Sequence, residues 1–329
     1  MSTATSAVAA GNVPPRRPPR GRRVLRRIGV HLLRLVVITF GILSLLFFLM
    51  RLSGDPAAVL AGPGSGPGEI ARVRHELGLD RPLGAQYLDF LRDMVQFDLG
   101  QSLINGRPAL GLVLDRLPAT GLLTAATLAT VLLIGVPLGL LAATYHRRLP
   151  GRLISVVTAL AQATPNFLLG VGLIWLFSLY LGWLPTYGSG TAAQLVLPTI
   201  TLAAFTVAKV ARVLRGDLLE AFGADWVRTA QAKGVPTLRL LVRHALRYAA
   251  LPTLALLTVE VSYLVSGAVV VETLFAYDGI GKQLVDAVYN RDYPVVQATV
   301  LVVAIAVVAV GALGEWLTGL LDPRLSGKQ

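Results

Sequence analysis

Uncharged apolar runs alternate along this chain with short basic or mixed segments. A helix needs about 20 mostly apolar residues to cross a bilayer. The first run of that kind lies at about 31–52, and residues 117–145, which contain no charge, give the second. The stretch 153–208 is also uncharged and is too long for one span. The turn-forming GWLPTYGSGTAAQ at 182–194 divides it, predicting helices near 153–181 and 195–215. A fifth helix is expected at about 247–275, interrupted by Glu260 and Glu272, and a sixth at about 293–319. The pattern predicts an all-α integral membrane protein with six transmembrane helices.

Loop charges orient these helices, because basic loops stay on the cytoplasmic side. Residues 1–30 hold seven arginines and no acid, residues 144–152 carry Arg147, Arg148 and Arg152, and residues 216–247 are basic as well. The alternate loops differ: 182–194 is uncharged, and 277–292 sets three acids against Lys282 and Arg291. Both termini are therefore expected in the cytoplasm. The organisation read from the chain is a disordered basic tail (1–30), a first helix (31–52), an extracytoplasmic segment (53–117) and a core (118–322) with a cytoplasmic loop at 216–246. Within the external segment, Tyr87, Leu88, Leu91 and Val95 repeat at helical spacing. That repeat fits either a cap packed on the helix ends or a platform for an external partner.

Composition agrees with the membrane assignment. Apolar residues make up 54% of the 329, charged residues 15%, and mean hydropathy is +0.65; soluble domains carry about 25% charge. The formal net charge of +12 does not require a nucleic-acid partner, because the Arg-rich tail beside an apolar helix suits anionic membrane lipid. The run from Leu35 to Met50, bracketed by Arg34 and Arg51, is read as a retained anchor and not a cleaved signal. The chain has no cysteine, which removes thiolate metal sites and cysteine nucleophiles. His31, His75, His146 and His244 lack metal-ligand spacing, so no metal site is expected.

The basic island 216–252, with Arg228, Lys233, Arg239, Arg243 and Arg247, cannot cross a bilayer and is long enough to dock another protein. Asp225 offers a helix-capping carboxylate before WVRTAQAK, and Gly234 can end that helix in a left-handed conformation. Trp226, Ala230 and Gly234 fall on one stripe, a bulky anchor followed by two small positions. An interfacial helix lying on the headgroups is the other reading of this pattern.

Specific sequence joins these features. The stretch ARVLRGDLLEAFGADWVRTAQAKGVPTLRLLVRHALRYAALP (211–252) resembles the cytoplasmic loop of bacterial ABC-importer permeases. It is most similar to the dipeptide/oligopeptide/nickel branch, with Arg228-Thr229-Ala230 standing where the generic motif has Glu-Ala-Ala. SGAVVVETLFAYDGIGKQLVDAVYNRDYPVVQA (266–298) and SGDP (53–56) are similar to the same branch. The resemblance implies a type I importer permease fold in a bacterial cytoplasmic membrane. It also implies that Asp225, Trp226, Arg228, Thr229, Ala230, Lys233 and Gly234 couple to an ATPase.

No G-x-x-x-x-G-K-[ST] sequence occurs, so no ATP hydrolysis is expected of this chain. The resemblance then implies a second similar permease, two ATP-binding subunits carrying ATP and Mg, and an extracytoplasmic solute-binding protein, with di- or oligopeptides favoured as solutes. Glu260, Ser266 and Glu272 are the candidates for the translocation path, since intramembrane charge has to face protein or water. Glu260 has a structural alternative, pairing with Lys209 of the fourth helix. The competing functions are a self-contained secondary transporter or channel and a non-transporting anchor. The first is disfavoured by the lack of a repeat and the scarcity of intramembrane charges.

Overall fold

The computed structural model describes residues 29, 33, 36–49, 56–62, 64–96, 98–236, 240 and 245–321. Most of the basic tail, Ser53–Asp55, Arg239 and Arg243 lie outside them. The described residues form helices and no strand beyond one isolated bridge between Gln101 and Pro108. In chain order the helices are α1 (Val36–Leu49), α2 (Pro56–Ala61), α3 (Pro67–Glu76), α4 (Leu83–Val95), α5 (Ala109–Thr144), α6 (Leu149–Ala163) and α7 (Asn166–Tyr180). They continue with α8 (Ala192–Gly223), α9 (Asp225–Ala232), α10 (Leu246–Gly267), α11 (Val269–Leu274), α12 (Ile280–Tyr289) and α13 (Tyr293–Leu321).

By length and composition α5, α8 and α13 can each cross a membrane, and α6 with α7 makes a fourth candidate if the bent pair is one span. That pair corrects the expected single helix at 153–181. The two arms meet at 100°. Thr164 is extended (ψ 123°) and Pro165 precedes α7; a residue before proline is pushed out of the helical region. The apolar run hid a break that its proline signals.

α5 is continuous through Pro118 and Pro137, with a wider π-helical turn at Val131–Gly135 just ahead of the second proline. Such a turn absorbs the carbonyl that a proline cannot bond. The helix α8 starts three residues earlier than expected. A reciprocal cap sets its first turn: Gln194 N–H donates to the Thr191 hydroxyl (3.3 Å) and Thr191 N–H to Gln194 Oε1 (3.1 Å).

The long helix α8 is the centre of the core, packed by α5, α6, α7 and α10. Apolar contact with lipid is nearly as favourable as contact with another helix, so close approach of small residues decides association. A Cβ on Gly139 of α5 would lie 3.0 Å from Ala211 O and Leu214 of α8, and one on Gly135 3.3 Å from Val207 O. The same device joins α10 to α13, where a Cβ on Gly314 would sit 2.1 Å from Thr258.

Outside this core, α4 lies on α1. Phe47 meets Tyr87 and Phe90 at ring distances of 5.3 and 5.2 Å, and Ser44 Oγ is 2.7 Å from the Tyr87 hydroxyl. The packed face is Tyr87, Phe90 and Met94, whereas Leu88 and Val95 are 67% and 75% exposed. The expected stripe was therefore rotated. Aromatic partners on α1 select the face, and an aliphatic repeat alone does not.

Gly139→Leu is expected to wedge α5 from α8 and cost about 1–3 kcal/mol. Gly172→Leu, which meets nothing within 4 Å, should be close to neutral. Thermal unfolding of the two variants in detergent checks the contrast.

Candidate functional site

Two places concentrate the functional candidates: the turn after α8 and the carboxylates of α10 and α11.

At the first, Ala224 turns extended (ψ 147°) and ends α8, and α9 begins at Asp225. Asp225 thus stands inside the first helical turn and not at the flanking position expected of it. Its charge still favours the positive end of the helix. Thr229 Oγ1 donates to Asp225 O (3.0 Å). Val227 is buried, while Trp226, Thr229, Lys233 and Gly234 are exposed and Ala230 is half-buried. The Trp226–Ala230–Gly234 stripe is therefore left on the outer side of α9. The Arg228 side chain lies outside the described residues. Gly234 has φ +77°, and Val235 N–H donates back to Ala230 O (3.2 Å), a left-handed close of the helix. A Cβ there would meet nothing within 4 Å, so the glycine is required by backbone angle alone.

At the second, Glu272 is fully buried and accepts three hydrogen bonds. Thr120 Oγ1 of α5 donates to Oε1 (2.7 Å), and the N–H groups of Gly281 and Lys282 donate to Oε2 (2.7 and 3.1 Å). Ile280 N–H donates in turn to Thr120 Oγ1 (2.9 Å). The first three N–H groups of α12 are thus met by side chains from α5 and α11, because the residue before the helix, Gly279, has no side chain to offer. Gly279 has to be glycine for a second reason: a Cβ would lie 2.2–2.4 Å from the Glu272 carboxylate.

The sequence puts Glu272 among the path candidates. Its carboxylate reaches no surface and acts as a helix cap supplied from another element. Sequence reasoning missed this role because Thr120 lies far away along the chain. The only local signal was a helix start, Gly279-Ile280-Gly281, without a capping side chain. Around this cap the corner closes: Tyr277 Oη donates to Ala119 O (3.1 Å), Gly188 N–H to Phe275 O (2.9 Å), and Arg116 pairs with Asp278 (2.7 Å).

Glu260 is also buried, with 3% of its surface exposed. Lys209 Nζ donates to its Oε1, and Thr206 Oγ1 to its Oε2 (3.3 Å). A lone charge at the bilayer centre costs about 2.5–3.5 kcal/mol on insertion scales, and pairing within the protein removes the need for lipid to face it. The Glu260 carboxylate itself is therefore not open to a path. Ser266 falls in the last turn of α10, and its side chain lies outside the described residues.

Glu272→Ala is expected to destabilise by about 1–3 kcal/mol for each buried donor left unmet, with Glu272→Gln milder. Gly279→Ala should be damaging alone and less so beside Glu272→Ala, since the clash then has no partner. Thermal unfolding and protease cutting within 276–292 report both. A Glu272→Ala protein as stable as the parent would remove the capping role.

Known proteins can now be set against this geometry. Residues 135–327 match the family described as binding-protein-dependent transport system inner membrane component, and residues 21–124 match its N-terminal companion. A probable peptide ABC transporter permease protein, y4tP of Sinorhizobium fredii, is 35% identical, covering 91% of this chain and 99% of its own. The glutathione transport system permease protein GsiC of Escherichia coli is 36% identical, covering 88% and 95%. In structure, a chain of the inward-facing MetNI methionine ABC transporter superimposes with a TM-score of 0.56 at 20% identity, covering 65% of this chain and 98% of that one. The chain belongs to the binding-protein-dependent transport system inner membrane component family: it is an integral membrane permease component of an ABC importer and not itself an enzyme.

Proposed function

We propose that this chain forms one half of the translocation pore of an ATP-driven importer for di- or oligopeptides or related solutes, coupled to its ATPase through α9. The partners are a second permease, two ATP-binding subunits holding ATP and Mg, and an extracytoplasmic binding protein. The setting is the bacterial cytoplasmic membrane, crossed six times with both termini inside.

The observation that carries the coupling role is the form of α9. It is a short helix with its small-residue stripe outward, tied to α8 by the single extended residue Ala224 and closed by left-handed Gly234. A partner that grips such a helix moves the end of α8, and α8 is the helix on which the core is packed. The relatives' names supply the solute class: one is a peptide permease and one a glutathione permease, and both names describe small peptides.

Gly234→Val imposes a cost at a left-handed position where there is open space, so it should spare membrane insertion. It is expected to abolish uptake and solute-stimulated ATP hydrolysis in the reconstituted complex. Normal uptake by that variant refutes the coupling role.

Orientation is tested separately in this naturally cysteine-free chain. Single cysteines at Gly188 and Asn290 are expected to react with an impermeant thiol reagent from outside, and one at Gly234 only from the cytoplasmic side. External labelling at 234 would invert the topology.

A further inference from the structure

The Lys209–Glu260 pair is lopsided. Its carboxylate is closed in, with 4% of the side chain exposed, while the Lys209 side chain is 38% exposed. Glu260 lies about 21 Å along α10 from Leu246, the first residue of that helix after the basic loop, by helical rise. The ammonium bound to it is thus deep in the bilayer and held there, not stretched towards the headgroups.

An open ammonium at that depth has to face water or protein, not lipid. The rest of its helix face agrees. Arg212, Gly216 and Glu220 follow Lys209 at helical spacing and are exposed, whereas Leu202 above it is buried. Lys209 is therefore the innermost point of a polar strip that opens towards the cytoplasmic loop and closes on the outer side. On the opposite side of α8, Ile200 is exposed and apolar, as a lipid-facing position should be.

Building on the pore reading above, we propose that Lys209 lines the inner half of the translocation path and reads a free carboxylate on the passing solute. The chemistry suits transit. An ammonium has three donors, and Glu260 Oε1 takes one, leaving others for the solute. Glu260 also offsets much of the positive charge, so a solute carboxylate is held briefly and released, as conduction requires. Thr206, donating to the second oxygen of Glu260, fixes the carboxylate so that the lysine, and not the acid, is presented.

The test uses the full importer in proteoliposomes with its binding protein. Uptake of a dipeptide is compared with uptake of its C-terminal amide for the parent, Lys209→Gln and Lys209→Arg. The binding protein's own preference is common to every arm and cancels when the ratios are compared. Lys209→Gln is expected to lower the acid-to-amide ratio about three- to fivefold, the scale of a water-exposed ion pair; Lys209→Arg should restore the ratio. An unchanged ratio in Lys209→Gln overturns the carboxylate role.

Lys209→Cys combined with Glu260→Gln, which leaves no buried charge unpaired, is then treated in everted membrane vesicles with a cationic methanethiosulfonate. Modification is expected, and protection overturns the placement on the path. Should the parent import neither peptide, the functional reading fails, while the labelling still decides where Lys209 faces.

Discussion

Inside a bilayer an unpaired polar group is costly, and this cost accounts for the cross-helix joints made by the two buried glutamates. Three buried threonines return their hydroxyls to their own helices: Thr201 to Leu197 O, Thr253 to Ala249 O and Thr299 to Val295 O, each at 2.7–2.8 Å. The two buried glutamates follow the same rule across helices. Glu260 joins α10 to α8 through Lys209 and Thr206, and Glu272 joins α11 to α5 and to the start of α12. A group with nowhere else to turn makes a specific joint. Polar satisfaction here sets the relative placement of helices that hydrophobicity alone would leave free to slide.

Close approach is the complementary constraint. Gly135 and Gly139 bring α5 onto α8, and Gly314 brings α13 onto α10, so the four helices behave as one packed body with α9 attached at one end. The pieces outside this body belong to other joints. The segment around α4 is held on α1 by aromatic contacts, and the corner from Phe275 to Asp292 is held by the Glu272 cap and by Asp292, which accepts from Ser102 and from Leu103 N–H (3.1 Å).

Features that depend on near neighbours in sequence were legible before the structure was seen. The alternation of apolar runs, the short helix before Gly234 and its left-handed close all rest on residues a few positions apart, and so does the family resemblance of the basic loop. Features made by residues far apart were not legible. Nothing near Glu272 announces that Thr120 will share it, and its charge within an apolar stretch looked like a path residue. The break at Thr164 could have been found, since Pro165 favours a helix start, but the absence of charge drew the eye past it. The packed face of α4 was misread because the rings that choose it sit on α1. Lys209 entered the reading only as a counter-ion; which member of the pair stays open is a matter of how two helices are rotated, and no local pattern encodes that.

The glycine at 279 and the glutamate at 272 share one volume: the space a Cβ would need at the first is filled by the oxygens of the second. Position 279 cannot drift independently. A lineage that exchanged the glycine would have to surrender the carboxylate in the same step, and one that lost the carboxylate would gain a vacancy that larger residues at 279 could fill. The dependence runs one way: a side chain at 279 is expected only where the carboxylate at 272 is gone, while a glycine at 279 tolerates either state.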